Sequence, residues 1–202
     1  MAESASAPPR QSALGALSAP RHPAGAGPPG SRLEERQRVL IRQLAAWRDA
    51  DVRPLRMACE RLGIALPAGP DASGDDRRAA LRIAPRRWWL VEDQEHAAGP
   101  AALAAALAGQ AALTDLSHAR TVLRLAGPAS RSVLAKLCRI DLHPRAFPTG
   151  RVAQTALGQV PVLIHAIGDE PGFDLYLPRS LAGSGFDAVV DAAEAFGVAI
   201  GG

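Results

Sequence analysis

The sequence has almost no lysine, few aromatic residues and two cysteines, and each shortage argues against a class of site. Lys136 is the single lysine beside 22 arginines, and aromatic residues make up 4% of the 202 positions. The arginines are scattered, with Arg77-Arg78 and Arg86-Arg87 the adjacent pairs. A nucleic-acid surface needs clustered basic residues interleaved with stacking aromatics. The net charge of +3 and the pI of about 9.5 therefore do not indicate nucleic-acid binding.

The two cysteines, Cys59 and Cys138, lie far apart and form no Cys-x-x-Cys pair, which argues against a zinc site or a redox motif. So few cysteines in a chain of this length suit a reducing compartment. The charge-free stretch Ala97–Thr114 is interrupted by glycines, a proline and a glutamine, so it does not predict a membrane span. No secretory signal pattern is present. We expect a cytoplasmic protein that does not contact a membrane.

Residues 1–30 consist mostly of alanine, proline, glycine and serine, which predicts a disordered tail. The tail contains Gly25–Gly30, a literal match to the dinucleotide-binding pattern G-x-G-x-x-G. That pattern works where a strand feeds the loop and backbone N–H groups reach a pyrophosphate. No strand precedes it, and two prolines remove N–H donors. We therefore expect no flavin or dinucleotide on this chain alone.

Residues 31–50 predict an N-terminal helix. Ser31 and Glu34 form a capping box, and Leu33, Leu40 and Leu44 recur at helical spacing up to Trp47. Such a helix could pack on its own domain or dock a partner, and both readings stay open.

Residues 51–202 predict one α+β domain. Each half alternates helical and extended patterns, which suggests a ferredoxin-like split β-α-β theme used twice, giving two related halves. Short strands are predicted over Ala80–Ile83 and Trp88–Glu92, and the pair Trp88-Trp89 predicts one core tryptophan and one at a rim. A flat cofactor stacked there is the less favoured alternative, since no phosphate-binding loop accompanies the pair.

Two clusters could carry chemistry. Asp115, Ser117 and His118 suggest a catalytic triad, but strand alternation would separate His118 from the other two, and no G-x-S-x-G turn is present. Asp141 and His143 could share a metal, but a third ligand is not apparent nearby. We therefore assign no catalytic residue and no metal ligand, and the cofactor-binding residues stay unknown.

The segment Asp141–Gly150 is a candidate interface. Its two prolines make it stiff, so it would lose little entropy on docking. Arg145 and Phe147 are residue types that often anchor interfaces, and His143 lies between them and the preceding helix. The alternative, in which Phe147 fills its own core and Arg145 is solvated, stays open.

Several blocks carry a resemblance to a known family. They are Leu81–Val91, Asp115–Pro128, Asp141–Gly150, Gln154–Thr155 and Phe173–Ser180. Together they resemble the gamma subunit of heterotetrameric sarcosine oxidase over roughly residues 51–200, and the Asp-Leu-His-Pro-Arg-x-Phe-Pro block from Asp141 is the most specific. More distantly, the chain is similar to the folate-binding aminomethyltransferase superfamily.

The resemblance implies a non-catalytic assembly subunit whose partners are alpha, beta and delta subunits. The resembled complex carries FAD, FMN, NAD and zinc on those partners, and it demethylates sarcosine oxidatively to glycine with tetrahydrofolate and O2. Related aminomethyltransferases place an acidic residue just before a strand, where this chain has Pro161-Val162. A missing carboxylate cannot act as an acid or base. The alternatives are a free-standing folate-binding or aminomethyltransferase-like one-carbon protein and a stand-alone interaction domain.

Overall fold

The computed structural model describes residues 11–20, 28–168 and 171–201. The strands are β1 Ser31–Glu35, β2 Val39–Ala46, β3 Ala72–Gly74, β4 Arg78–Ala84, β5 Arg87–Asp93, β6 Ala111–Asp115, β7 Arg120–Ala126, β8 Val152–Leu157, β9 Val160–Ile167, β10 Gly172–Pro178 and β11 Val198–Gly201. The helices are α1 Arg53–Arg61, α2 Pro100–Leu107, α3 Ser130–Ala135 and α4 Ala182–Ala193. Short 3₁₀ turns cover Gly15–Ser18, Arg179–Leu181 and Glu194–Phe196. Among the described residues, no helix is long and apolar enough to cross a membrane.

The strands form two sheets with the same internal plan. One sheet has the order β3-β4-β5-β2-β6, and the other has the order β8-β9-β10-β7-β1-β11. In the first sheet β5 lies between β2 and β4 and is antiparallel to both. In the second sheet β10 lies between β7 and β9 in the same way. Each arrangement contains a four-stranded split β-α-β unit, with β3 added to the first sheet and β1 and β8 added to the second. The predicted α+β fold with two related halves is therefore confirmed.

The molecule is layered as helices, sheet, sheet and helices. Alternation along each strand sends one set of side chains toward the helices and the other toward the facing sheet. Trp89 and Ile41 from the five-stranded sheet meet Val122 and Tyr176 from the six-stranded sheet in the central layer. Separate cores fill the space beneath α1 and α2 and beneath α3 and α4. The central layer is therefore where the two halves touch.

The predicted helix over residues 31–50 is wrong, because the region forms β1 and β2. Leu33 is fully buried in β1, and Val39 and Ile41 alternate as buried residues in β2. The apparent capping box does not form, since the Ser31 hydroxyl donates to the Gly197 carbonyl oxygen instead. β1 lies between β7 and β11, and β2 between β5 and β6, so both belong to the α+β domain. The hypothesis that a helix in this region docks a partner is therefore also wrong.

The predicted disordered tail is wrong for residues 11–20, and residues 1–10 and 21–27 lie outside the described part of the chain. Leu14 is 4% exposed and packs into the core of the second half. The Glu35 carboxylate accepts a hydrogen bond from Ser12 and another from the Ala13 N–H at 3.2 Å. Arg179 also donates to the Gln11 carbonyl oxygen at 2.8 Å, so contacts with the folded domain hold a segment that composition alone describes as a tail.

Candidate functional site between the two sheets

Asp174 is a buried carboxylate at the centre of the molecule. The Phe-Asp-Leu-Tyr-Leu pattern of β10 points Phe173 and Leu175 toward the helices and Asp174 and Tyr176 toward the facing sheet. In register, Asp174 lies between Arg124 of β7 and His165 of β9. Its exposed fraction is 1%. A buried charge of this kind persists only when it is paired.

Two guanidinium groups pair with that carboxylate. Arg124 donates from Nε to one oxygen at 2.8 Å and from Nη2 to the other at 3.0 Å, which is a bidentate pair. Arg36 donates from Nη1 to the second oxygen at 2.6 Å. Asp174 therefore accepts three charge-assisted hydrogen bonds.

Arg36 also carries the network across to the other sheet. This residue lies in the connection between β1 and β2, and its Nη2 donates to the Asp93 carboxylate at 2.7 Å and to the Asp76 carbonyl oxygen at 3.0 Å. Arg124 adds a longer contact to the Asp76 carboxylate at 3.3 Å. Because Asp174 belongs to one sheet and Asp93 to the other, the two arginines link the halves of the molecule.

Electrostatics keep the two arginines charged. Burial is the largest single effect on Arg36 and lowers its pKa, but the charge of Asp174, its hydrogen bond and the nearby Tyr176 together raise the pKa overall. Burial also opposes the charge of Arg124, yet its hydrogen bond and attraction to Asp174 raise its pKa. Both arginines therefore stay charged at any ordinary pH and keep the charge that pairs them with Asp174.

Two further titratable side chains face the network. Burial lowers the pKa of His165 to about 4, so the imidazole is neutral near pH 7. Its Nδ1 is buried without a hydrogen-bond partner among the described residues. Burial raises the pKa of Tyr176 well above its usual value. Neither group is poised to accept or release a proton near neutral pH, where general acid–base catalysis works best.

A small cavity lies beside the network. His165, Asp76 and Thr149 line it together with Gly150, and its volume is about 240 Å³. Sites for drug-sized ligands usually measure about 300–1,000 Å³. The cavity is thus smaller than a folate-sized ligand requires.

A second buried ionic cluster stabilises the first half. Glu92 is fully buried and pairs with Arg42 and with Arg78, the latter at 2.7 Å. Arg42 donates to the Ala98 carbonyl oxygen at 2.9 Å, and Arg78 donates to the Leu62 carbonyl oxygen at 2.9 Å. The cluster therefore fixes the approach to α2 and the end of α1 against the sheet.

Burial suppresses the reactivity of the cysteines. It raises the pKa of the Cys59 thiol to about 11, and it also raises the pKa of Cys138. Both side chains are buried and unpaired with another cysteine. A thiol acts as a nucleophile or a metal ligand in its thiolate form, so neither residue is activated.

The structure does not assemble the candidate triad. The Ser117 hydroxyl oxygen accepts the Ile41 N–H at 3.0 Å and is 3% exposed, while the Asp115 carboxylate accepts the Ser117 N–H at 2.8 Å. His118 is exposed. These side chains shape the turn between β6 and β7 and anchor it to β2.

The candidate metal pair is part of a local turn. The Asp141 carboxylate accepts the His143 N–H at 2.8 Å, and His143 Nδ1 accepts the Arg145 N–H at 3.2 Å. Within the described residues, no group of three or more histidines, cysteines or carboxylates could hold a metal ion. The hydrogen bonds of Asp141 and His143 instead order the start of the candidate interface segment.

That segment combines an internal anchor with exposed polar groups. Phe147 is 4% exposed and packs against Phe173 with ring centroids 6.4 Å apart. Arg131 donates to the Phe147 carbonyl oxygen at 3.1 Å and holds the segment on α3. His143 and Arg145 are exposed. Phe147 therefore fills the chain's own core, as one of the two open readings held, and an interface role for His143 and Arg145 stays a prediction.

Both members of the tryptophan pair are buried, so the prediction of one at a rim is wrong. Trp88 is 1% exposed and donates from Nε1 to the Pro67 carbonyl oxygen at 2.9 Å. Trp89 is 6% exposed and meets Tyr176 edge-on, with centroids 6.0 Å apart. Each tryptophan packs on its own face of the sheet, so neither offers an open ring for stacking a flat cofactor.

Sequence reasoning did not single out the central network. Asp174 could have been noticed as the one charge inside an alternating apolar strand, and Arg124 has the same pattern in β7. Arg36 could not have been noticed in this way, because it lies in the region predicted as a helix. The expected position of Pro161-Val162 is just before a strand, but the structure places both residues inside β9, and Val162 is buried in the core of the second half.

Comparisons with known proteins agree with this architecture. The family model described as the GCVT N-terminal domain matches residues 75–202. The chain is similar to the sarcosine oxidase subunit gamma of an Arthrobacter species, at 35% identity over 70% of this chain and 72% of that one. A Corynebacterium sp. (strain P-1) subunit gamma is 37% identical over 70% of this chain and 73% of its own length.

A solved structure gives the same result in three dimensions. A chain of the heterotetrameric sarcosine oxidase from Corynebacterium sp. U-96 superposes with a TM-score of 0.79 at 30% identity. The match covers 93% of this chain and 96% of that chain. The identity and coverage of the two subunit gamma sequences and the match to the GCVT N-terminal domain agree with the repeated split β-α-β halves. The chain therefore belongs to the sarcosine oxidase gamma subunit family, within the GCVT N-terminal domain group.

Proposed function

We propose that this chain is a non-catalytic structural subunit of a heterotetrameric sarcosine oxidase. The complex would demethylate sarcosine oxidatively to glycine, using tetrahydrofolate and O2. The observation that carries the proposal is the match to nearly the whole of one chain of such an oxidase, at 93% and 96% coverage. A chain that corresponds over its full fold to one component of an assembly is expected to occupy the same place in its own assembly.

The central network supports a structural role. Asp174 forms ion pairs with Arg36 and Arg124, so its carboxylate is occupied in linking the two sheets. His165 is neutral near pH 7 because burial lowers its pKa to about 4, and burial raises the pKa of Tyr176 further above neutral pH. Groups in these states rigidify a fold and do not exchange protons with a substrate at neutral pH.

The same proposal assigns the chemistry to the other subunits. Alpha, beta and delta chains would carry FAD, FMN, NAD and zinc, and this chain would carry no cofactor. The whole complex would reside in the cytoplasm. The interface segment with His143 and Arg145 would be one of the surfaces that contact those partners.

A free-standing folate-binding or aminomethyltransferase-like protein is the alternative. The cavity of about 240 Å³ beside His165 is small for such a ligand. The buried Val162 stands where the related enzymes place an acidic residue, so the catalytic group would be missing there. Cavities elsewhere on the described chain reach about 540 Å³, so the missing carboxylate is the feature that favours the structural subunit.

Co-purification tests the proposal. The chain, carrying an affinity tag, is co-expressed with the alpha, beta and delta chains encoded in the same genome. We expect one copy of each chain in the eluate, measured by native mass spectrometry. Recovery of the chain by itself, with the other three assembled and active without it, would contradict the proposal.

A further inference from the structure

Trp47 is the one tryptophan that the fold leaves in water. It follows β2 directly and is 51% exposed, whereas Trp88 is 1% exposed and Trp89 is 6% exposed. A single exposed apolar residue is common and proves nothing alone. Tryptophan is nevertheless the residue type most enriched among interface anchors. A second, independent feature of the same loop is therefore decisive.

That feature is the backbone of Arg86. The two-residue turn between β4 and β5 places Arg86 at φ 62°, a left-handed conformation that favours glycine. The residue that follows proline in such a turn commonly takes a positive φ, which aims the Arg86 side chain in a fixed direction. Here the guanidinium group donates from Nε to the Trp47 carbonyl oxygen at 3.0 Å, and Nη2 donates to the carbonyl oxygens of Trp47 and Ala50. Arg86 thus clamps the loop that carries Trp47.

Backbone hydrogen bonds fix the loop from its other sides. The Ala46 N–H donates to the Arg86 carbonyl oxygen at 3.0 Å, and the Trp47 N–H donates to the Gln110 carbonyl oxygen at 3.4 Å. The Ala50 N–H donates back to the Trp47 carbonyl oxygen at 3.3 Å. Three segments of the chain therefore hold Trp47 in place before any partner arrives, and a preorganised anchor loses little entropy on binding.

The surroundings of Trp47 are positively charged. Arg48 follows it, and Arg87 lies at the adjacent end of β5, opposite Ala45 of β2. Neither arginine pairs with a carboxylate among the described residues, and nor does Arg86. Two carboxylates belong to the same loop: Asp49 is exposed, and Asp51 pairs with Arg53 at 2.7 Å and is also attracted by the charge of Arg86. With Arg48, Arg86 and Arg87 beside them, the patch still keeps a positive excess. A partner that matches this patch would present carboxylates around an apolar pocket.

We infer that Trp47, positioned by Arg86, inserts into an apolar pocket bordered by carboxylates on a neighbouring subunit. The inference rests on the proposed function, because it takes that neighbour to be another subunit of the same oxidase. Trp47 supplies the buried area, and Arg48 and Arg87 meet the carboxylates at the rim. Arg86 acts as a positioning residue, since its donors are occupied by the loop.

The experiment measures the dissociation constant between the purified chain and the assembled alpha, beta and delta chains. We expect Trp47→Ala to weaken binding about 30-fold, as loss of an interface hot spot does. Phe196→Ala is the matched control, because Phe196 is a 38% exposed aromatic on the other half of the molecule, and it should change binding less than about twofold. Trp47→Gln repeats the test with a polar side chain, which also removes the apolar anchor and should weaken binding in the same way.

Arg86→Gly separates positioning from contact. Glycine suits φ 62°, so the variant keeps the backbone conformation of the turn while the loop loses its clamp and binding weakens. Circular dichroism checks that the rest of the fold is unchanged. Arg48→Glu and Arg87→Glu reverse a charge at the rim of the interface. Each should weaken binding more at low salt than at high salt, because salt screens the resulting repulsion.

The outcomes are distinguishable. If the parent chain binds the assembly and Trp47→Ala binds equally well, the inference is wrong and the proposed function stands. If the parent chain does not bind the assembly, the proposed function fails and the inference fails with it. If sedimentation shows a dimer of the chain that Trp47→Ala abolishes, the occupant is a second copy and the inference is overturned.

Discussion

Replacing Asp174 by asparagine removes the negative charge that Arg36 and Arg124 share, while keeping the size and shape of the side chain. The carboxylate is 1% exposed and accepts three hydrogen bonds. An amide can accept at one oxygen, but its NH2 group would face a guanidinium donor. The substitution therefore leaves two partly buried positive charges without their common counter-charge.

The magnitude follows from that geometry. Removing one partner of a buried ion pair typically destabilises a protein by about 3–5 kcal/mol. Arg36 keeps its contact with Asp93 at 2.7 Å, and Arg124 keeps a longer one with Asp76, so the lower end of that range applies. For a chain of this size, about 3 kcal/mol corresponds to a fall in Tm of roughly 6–12 °C.

Urea unfolding and thermal melts of the isolated chain measure the effect. Glu95→Gln is the matched control, because the Arg38–Glu95 pair is 69% and 68% exposed at its two side chains. An exposed pair contributes about 0–1 kcal/mol, so the control should barely shift the transition. A decrease in Tm of less than about 2 °C for Asp174→Asn would refute the view that the network links the two sheets.

Further predictions concern titration, thiol reactivity and assembly. His165 has a folded pKa of about 4, below its unfolded value near 6.5, so its contribution to stability is present above pH 6.5 and is lost as pH falls toward 4. His165→Gln should flatten the pH dependence of urea unfolding in that window, whereas a slope unchanged by the substitution would contradict the assignment. Cys59, whose pKa burial raises to about 11, should resist alkylation at pH 8 until urea unfolds the chain, and fast labelling of the native protein would contradict this. Arg145→Ala should stay folded and assemble poorly, while Phe147→Ala should lose about 3–5 kcal/mol of stability in the isolated chain. Normal assembly of a folded Arg145→Ala chain would remove Arg145 from the interface.

The repeated architecture could be predicted because its signals are local. The alternation in Phe173–Leu177 and the helical spacing of Phe186, Val189 and Ala193 each reflect one element and the face it buries. Two such halves in one chain give the split β-α-β pattern twice. These parts of the fold depend on residues close together in sequence.

The errors lie where distant contacts decide the structure. Leu33, Leu40 and Leu44 fit a helix as well as they fit strands. The choice depends on strands far along the chain, because β7 and β11 pair with β1, and β5 and β6 pair with β2. Arg36 and Asp174 are 138 positions apart, so no local pattern joins them. Leu14 is fixed by a core formed from the second half of the chain. Such pairings emerge only when the sheets assemble.

Reconstitution tests the central claim most directly. The alpha, beta and delta chains are purified without this chain, and sarcosine-dependent production of hydrogen peroxide is measured as the purified chain is added. We predict no peroxide and no flavin spectrum from the chain alone, and a rise to a plateau at one copy per assembly. Sarcosine demethylation by the isolated chain, or a titration in which it neither binds nor changes the assembly, would contradict the account.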